Sequence, residues 1–194
     1  MNYLIKDTKF KEVKIILPKI FEDHRGFFIE VYNKDTFDEL GLPSDFVQLN
    51  HSRSNKGVVR GLHFQWDPPA GKLMRVTRGR AFLVAVDIRK NSPTIGEWYG
   101  HFLSEENKLQ MWAPAGFARG FYSMEDNTEI QYLVTSTYNP YGEGEIKWND
   151  PDIGIEWPAF DPMLSQKDKD AQSFKQWLES ENSNFFYQND YYDE

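Results

Sequence analysis

The chain has 194 residues, 40% hydrophobic and 27% charged, a balance that suits a globular protein of ordinary domain size rather than a disordered one. A formal net charge of −8 argues against nucleic acid as the main partner, and the absence of cysteine excludes disulfides, zinc–thiolate sites and thiol nucleophiles. Aromatics at 16% favour strands or an aromatic-lined ligand site over a helical bundle.

In the N-terminal "MNYLIKDTKFKEVKIILPKI", Lys and Asp interrupt every apolar run, so it reads as neither a secretion signal nor a membrane span, and a soluble cytoplasmic protein is expected. Within it "EVKIILPKI" is a strand ended by Pro18. "RGFFIEVYN" alternates, with Phe28, Glu30 and Tyr32 on one face and Phe27, Ile29 and Val31 on the other. "NKDTFDELGL" predicts one short helix, capped by Asn33 or Asp35 and stopped at Gly41. Strand-like runs follow: "DFVQLNHS", "VVRGLHFQ", "KLMRVTRGRAFLVAVDIRK" with a hairpin turn at Arg78-Gly79, "GEWYGHFLS", "KLQMWAPAGFARGFYSM", "TEIQYLVTSTYNP" and "GEIKWND". Many short strands point to an antiparallel sandwich or barrel. After "WPAFDPMLSQKD" the pattern changes, and "DAQSFKQWLES" reads as a short helix. The tail "ENSNFFYQNDYYDE" is either a frayed end or a segment docked by its aromatics. Neither a repeat nor a linker divides the chain, so a single domain over residues 1–194 is expected, with a mobile tail from about residue 180.

One strand conflicts with its own period. In "VVRGLHFQ", Arg60 and His63 point to opposite faces if the strand is regular. Either Gly61 carries a bulge that re-aims one of them, or the two serve different surfaces. His63 is one of four histidines, with His24, His51 and His101; no second His follows at ligand spacing, so a metal site is not expected, and a lone strand His is more often a hydrogen-bonded structural residue than a catalyst. Arg25, Arg60, Lys72 and Arg119 each adjoin a glycine, an arrangement that lets a cation approach an anion closely; surface salt bridging to the thirty acids accounts for each one equally well. Tyr132 and Tyr138, six residues apart, share a face of a regular strand, where they either serve a ligand or pack.

Taken together, "FEDHRGFFIEVYN", "FVQLNHSRS", "GVVRGLHFQ", "GKLMRV", "LSEENKLQMWAPAGFARGF", "IKWNDPDIGIEWP" and "LSQKD" resemble the dTDP-4-dehydrorhamnose 3,5-epimerase family over roughly residues 10 to 170. The resemblance implies an all-β, cupin-like antiparallel jelly roll with short flanking helices, a homodimer, and cofactor-independent epimerisation of a nucleotide-diphospho-4-keto-6-deoxy sugar, dTDP-linked, with no metal, nicotinamide or flavin. It implies that His63 is the catalytic base, Asp168 the carboxylate paired with it, Tyr132 the proton donor and Lys72 the cation near the sugar oxygen. Arg60 and Arg119 are implied as diphosphate contacts and Tyr138 as the ring that stacks on thymine. Arg25, Glu30, Gln48, Asn50, Glu143 and Lys167 are implied as further ligand contacts, part of the site coming from the dimer mate.

The chain departs from the pattern at three positions. Relatives commonly carry His, Lys and Asp where this sequence has Arg119, Leu133 and Leu83. If both leucines line the pocket, they leave it less polar, and a mono-epimerase acting at C3 or at C5 alone is the alternative. Two further readings are a jelly roll that binds a nucleotide sugar without catalysis and a metal-dependent cupin.

Overall fold

In a computed structural model, which describes residues 2–158 and 161–186, the strand pattern closes into two antiparallel sheets packed face to face. The strands are β1 (Tyr3–Asp7), β2 (Lys14–Pro18), β3 (Ile20–Asp23), β4 (Gly26–Ile29), β5 (Gln48–Ser54), β6 (Val59–Gln65) and β7 (Lys72–Arg78). They continue as β8 (Arg80–Asp87), β9 (Trp98–Ser104), β10 (Gln110–Ala113), β11 (Phe117–Ser123), β12 (Thr128–Val134) and β13 (Glu143–Glu145). The first sheet runs β1-β2-β10-β7-β12-β5 and the second β13-β6-β11-β8-β9, with β3 and β4 forming a separate hairpin. This is the expected cupin-like jelly roll.

Period-two alternation decides what each sheet buries. Ile15, Met74, Val76, Met111 and Ile130 of the first sheet, with Val13 just before β2, meet Leu83, Ala85 and Phe117 of the second in the interior. The other face of the second sheet, with Leu62, Phe64, Val84 and Val86, is covered by α3 (Phe174–Glu179) and the 3₁₀ turn Glu181–Phe186, through Trp177 and Phe186. The opening of the aromatic tail is therefore docked, while the rest of it, 187–194, lies outside the described residues. The outer face of the first sheet, with Ile16, Leu73 and Trp112, is covered by α1 (Lys34–Glu39) through Phe37.

The helix follows its sequence signals. Asn33 accepts the Thr36 amide as N-cap, and Gly41 takes a φ of +66° after the last turn. The amides of Gly41 and Leu42 return to the carbonyls of Asp38 and Phe37, the pairing that satisfies a helix's last acceptors when glycine adopts the left-handed region.

Two expectations change. Arg78-Gly79 is a tight turn but not a hairpin, because β7 and β8 lie in different sheets. Gly79, at φ +72° and packed against Thr128, carries the chain across the edge of the sandwich. "KLQMWAPAGFARGFYSM" is likewise two strands, β10 and β11, one in each sheet. Among the described residues no helix is long and apolar enough to cross a membrane.

Candidate active site

The conflict within "VVRGLHFQ" resolves as a bulge. Against β11, His63 pairs with Arg119 and Arg60 with Phe121, so three steps on β6 oppose two on its partner. The extra residue falls at Gly61, whose φ is +128° and where a Cβ would stand 2.5 Å from the Gly120 Cα. Only glycine suits this combination of backbone angle and close approach. The bulge turns Arg60 and His63 onto the same cavity.

That cavity has two adjoining lobes of about 140 and 230 Å³, which share His63, Lys72 and Tyr132. The first sheet supplies Gln48, Asn50 and Ser52 from alternate positions of β5, Lys72 from β7 and Tyr132 from β12. The second sheet supplies His63, Arg60 and Arg119.

His63 Nε2 lies 2.6 Å from Asp168 Oδ1, a pair separated by 105 residues in the chain. Asp168 sits in α2 (Gln166–Lys169), a single turn capped by Ser165. Its side chain is 2% exposed and also accepts Ser165 Oγ at 2.7 Å and the Gly61 amide at 3.3 Å. Burial pushes the carboxyl up, but the His63 hydrogen bond and charge, then Ser165 and the Gly61 amide, hold it below the usual carboxylate range. A carboxylate so fixed orients the imidazole and sets which ring nitrogen faces the cavity. Nδ1 has no hydrogen-bond partner among the described residues and is left to exchange a proton.

Lys72 Nζ stands 5.0 Å from the centre of the Tyr132 ring. Burial first, then the charge of Arg119, brings the ammonium down to about 7 against the pull of Glu143. Lys72 is thus poised between donor and neutral amine near neutral pH. Arg119 is 3% exposed, and its Nη1 donates to the carbonyls of Ala70, Ala113 and Pro114 at 2.8, 3.3 and 3.1 Å.

The cavity mouth is a polar network. Tyr138 lies beyond the end of β12, in a loop and 58% exposed, so regular strand parity does not place it. Its hydroxyl donates to Glu143 at 2.6 Å, and its amide donates to Gln48 Oε1 at 2.9 Å. Gln48 in turn donates to Asn50 at 3.0 Å. Lys167 donates to Glu143 at 2.7 Å, and these two bonds hold Glu143 below its usual range although burial pushes it up.

Two sequence-derived residues stand apart from this group. Arg25 lies at the tip of the β3–β4 hairpin, paired with Asp23 and exposed. Glu30 accepts from Tyr3 and Asn33 and lines an apolar groove of about 350 Å³ on the outer face of the first sheet. Leu133 faces that groove rather than the cavity lined by His63, and Leu83 is fully buried in the interior core. Neither leucine lines the cavity, contrary to the expectation that they leave it less polar. Ser165 and Ser52 were missed. The alternation Gln48, Asn50, Ser52 carried a signal for Ser52; nothing local marked Ser165 beyond its place as the helix cap of "LSQKD".

Among the described residues no cluster of three or more His, Asp or Glu side chains is placed to hold a metal ion.

A family profile described as dTDP-4-dehydrorhamnose 3,5-epimerase matches residues 7–176. The chain is 52% identical to the dTDP-4-dehydrorhamnose 3,5-epimerase of Salmonella typhimurium over 184 residues, covering 93% of this chain and 100% of that one. It is 49% identical to the protein of the same name from Pseudomonas aeruginosa, over 88% of this chain and 96% of that one. In structure it is similar to the dTDP-6-deoxy-D-glucose-3,5-epimerase of Legionella pneumophila in complex with dTDP-4-keto-L-rhamnose. That match has a TM-score of 0.90 and 43% identity, and covers 96% of this chain and 98% of the other.

Proposed function

The chain belongs to the dTDP-4-dehydrorhamnose 3,5-epimerase family, and from that premise we propose that it epimerises dTDP-4-keto-6-deoxyglucose at C3 and C5 without a cofactor. The observation that carries the reading is the His63–Asp168 pair at 2.6 Å in a cavity shared with Lys72 and Tyr132.

A C–H next to a ketone is a weak acid. His63 takes that proton, the C–H electron pair moves into the carbonyl system, and the C4 oxygen becomes an enolate. Asp168 stabilises the imidazolium. Lys72 donates to the enolate oxygen. Tyr132 returns a proton to the opposite face of the carbon, which inverts the centre. Arg60, exposed beside the cavity, suits the diphosphate, and Tyr138 with Gln48, Asn50, Glu143 and Lys167 suits the nucleoside end. The mono-epimerase alternative rested on Leu83 and Leu133 lining the pocket and loses that support.

We further propose a homodimer in which the β3–β4 hairpin brings Arg25 to the partner's cavity. Support comes from the hairpin's exposed Phe21, Phe27 and Phe28, at 47%, 56% and 68%, a large apolar surface for a segment outside both sheets.

The test is NMR of dTDP-4-keto-6-deoxyglucose with the protein in D₂O. Deuterium enters both C3 and C5, and His63→Asn reduces both by at least about 10²-fold, the size expected for a positioned base. Retention of more than a tenth of the rate in that variant removes His63 as the base. An active monomer by light scattering removes the exchanged hairpin.

A further inference from the structure

Three buried side-chain atoms lack a hydrogen-bond partner among the described residues: Ser52 Oγ, Arg119 Nε and Arg119 Nη2. All three belong to residues that line the lobe of about 230 Å³, with His63, Lys72 and Tyr132. Buried polar atoms are almost always satisfied, and a buried cation is normally paired with an acid. Arg119 has no carboxylate within 4 Å among the described residues, and three carbonyls take only its Nη1. Those carbonyls hold the guanidinium in one orientation while leaving two donor nitrogens, Nε and Nη2, uncommitted.

We propose that Arg119 is a further catalytic residue, whose Nε and Nη2 donors bind the C4 oxygen of the sugar and hold it as the enolate forms. The inference rests on the epimerase reading above and deepens it. It also departs from the diphosphate role that the resemblance implied for this arginine. Three observations separate the two roles. Arg119 is 3% exposed, whereas Arg60 at the start of the same strand pair is exposed to solvent, its Nε and Nη2 bonded to Ser54 Oγ and the Arg53 carbonyl. Arg119 stands directly across from His63 in the β6–β11 register, so the two side chains leave the sheet on the same face and line the same lobe. Lys72 shares the lobe and is brought down to about 7 by burial and by the Arg119 charge, so it is only partly cationic at neutral pH. Arg119, brought down by burial to about 9, stays charged there. A fixed cation and a proton-sharing amine then flank one oxygen. When His63 removes the proton, the C–H electron pair becomes the C=C bond, the carbonyl π pair moves to oxygen, and the Arg119 donors stabilise the charge that forms there.

The experiment compares wild type, Arg119→Gln and Arg119→Met in two measurements: deuterium entry at C3 and C5 of saturating dTDP-4-keto-6-deoxyglucose, and the affinity for dTDP by calorimetry. Loss of one oxyanion donor typically lowers turnover by about 10²–10³-fold, so both variants should lose exchange at both carbons by that amount with dTDP affinity within about threefold of wild type. Exchange within about threefold of wild type overturns the proposal. So does a loss of dTDP affinity with turnover at saturation unchanged, which returns Arg119 to the diphosphate. Unfolding of both variants by circular dichroism also overturns it, since the arginine then serves the fold. A wild-type protein that exchanges neither position refutes the epimerase reading itself, a result distinct from all of these.

Discussion

Replacing Asp168 with Asn removes one charge and little else. The carboxylate accepts His63 Nε2 and the Gly61 amide on Oδ1, and Ser165 Oγ on Oδ2. An asparagine can keep its carbonyl toward His63 and Gly61 and turn its NH₂ toward the Ser165 hydroxyl, which is able to accept. The imidazole tautomer and the helix turn are then preserved, and the electrostatic term is isolated. The His63–Asp168 contact is 2.6 Å, which puts the charge centres roughly 4 Å apart; at an effective dielectric of about 20 that separation is worth about 4 kcal/mol. If the imidazolium is fully formed in the transition state, turnover falls about 10³-fold; if it is half formed, the loss is roughly thirtyfold. Asp168→Asn should therefore lower deuterium entry at C3 and C5 by between thirty- and a thousandfold, with dTDP affinity nearly unchanged. A variant that exchanges within about threefold of wild type refutes the reasoning, because the charge then contributes nothing to proton abstraction.

Gly61→Ala should destabilise the protein by about 2–5 kcal/mol, combining overpacking with an unfavourable backbone angle; thermal melts and the exchange assay should fall together, and a variant with a wild-type melt would show that the bulge tolerates a side chain. Lys72→Met tests the buried amine through pH. The folded-state value of about 7 lies below the ordinary 10.5, so the unfolded chain holds the proton across that window and wild-type stability rises with pH through it. The Met variant should be more stable below pH 7, by at most about 5 kcal/mol, and lose that advantage by about pH 10.5; equal gaps at pH 6 and pH 10 in parallel melts would contradict it. Arg60→Ala should weaken dTDP binding about tenfold or more while saturated turnover changes little, and unchanged affinity by calorimetry would remove Arg60 from the diphosphate.

Much of this molecule is decided by local chemistry, and that part was legible in the sequence. Alternation marked the strands because side chains on a strand point to opposite faces whatever the strand packs against. Asn33 and Gly41 bounded α1 because capping is settled within a few residues. The motif resemblance brought His63, Lys72, Tyr132 and Asp168 to notice, although no spacing rule joins residues 63 and 168. What remained undecided was anything that depends on a partner strand. Gly61 announced a choice between a bulge and two surfaces, and only the register against Arg119 and Phe121 selects the bulge. Gly79 announced a turn, and whether its flanking strands pair or part depends on which neighbours each strand finds. Leu133 and Leu83 were apolar in the sequence, but parity alone does not say which face looks into a cavity, which onto an outer groove and which into the core. Arg119 reads as one more cation beside a glycine until its burial leaves two donors without partners. Burial and register are properties of the closed sandwich, set by contacts between segments far apart in the chain.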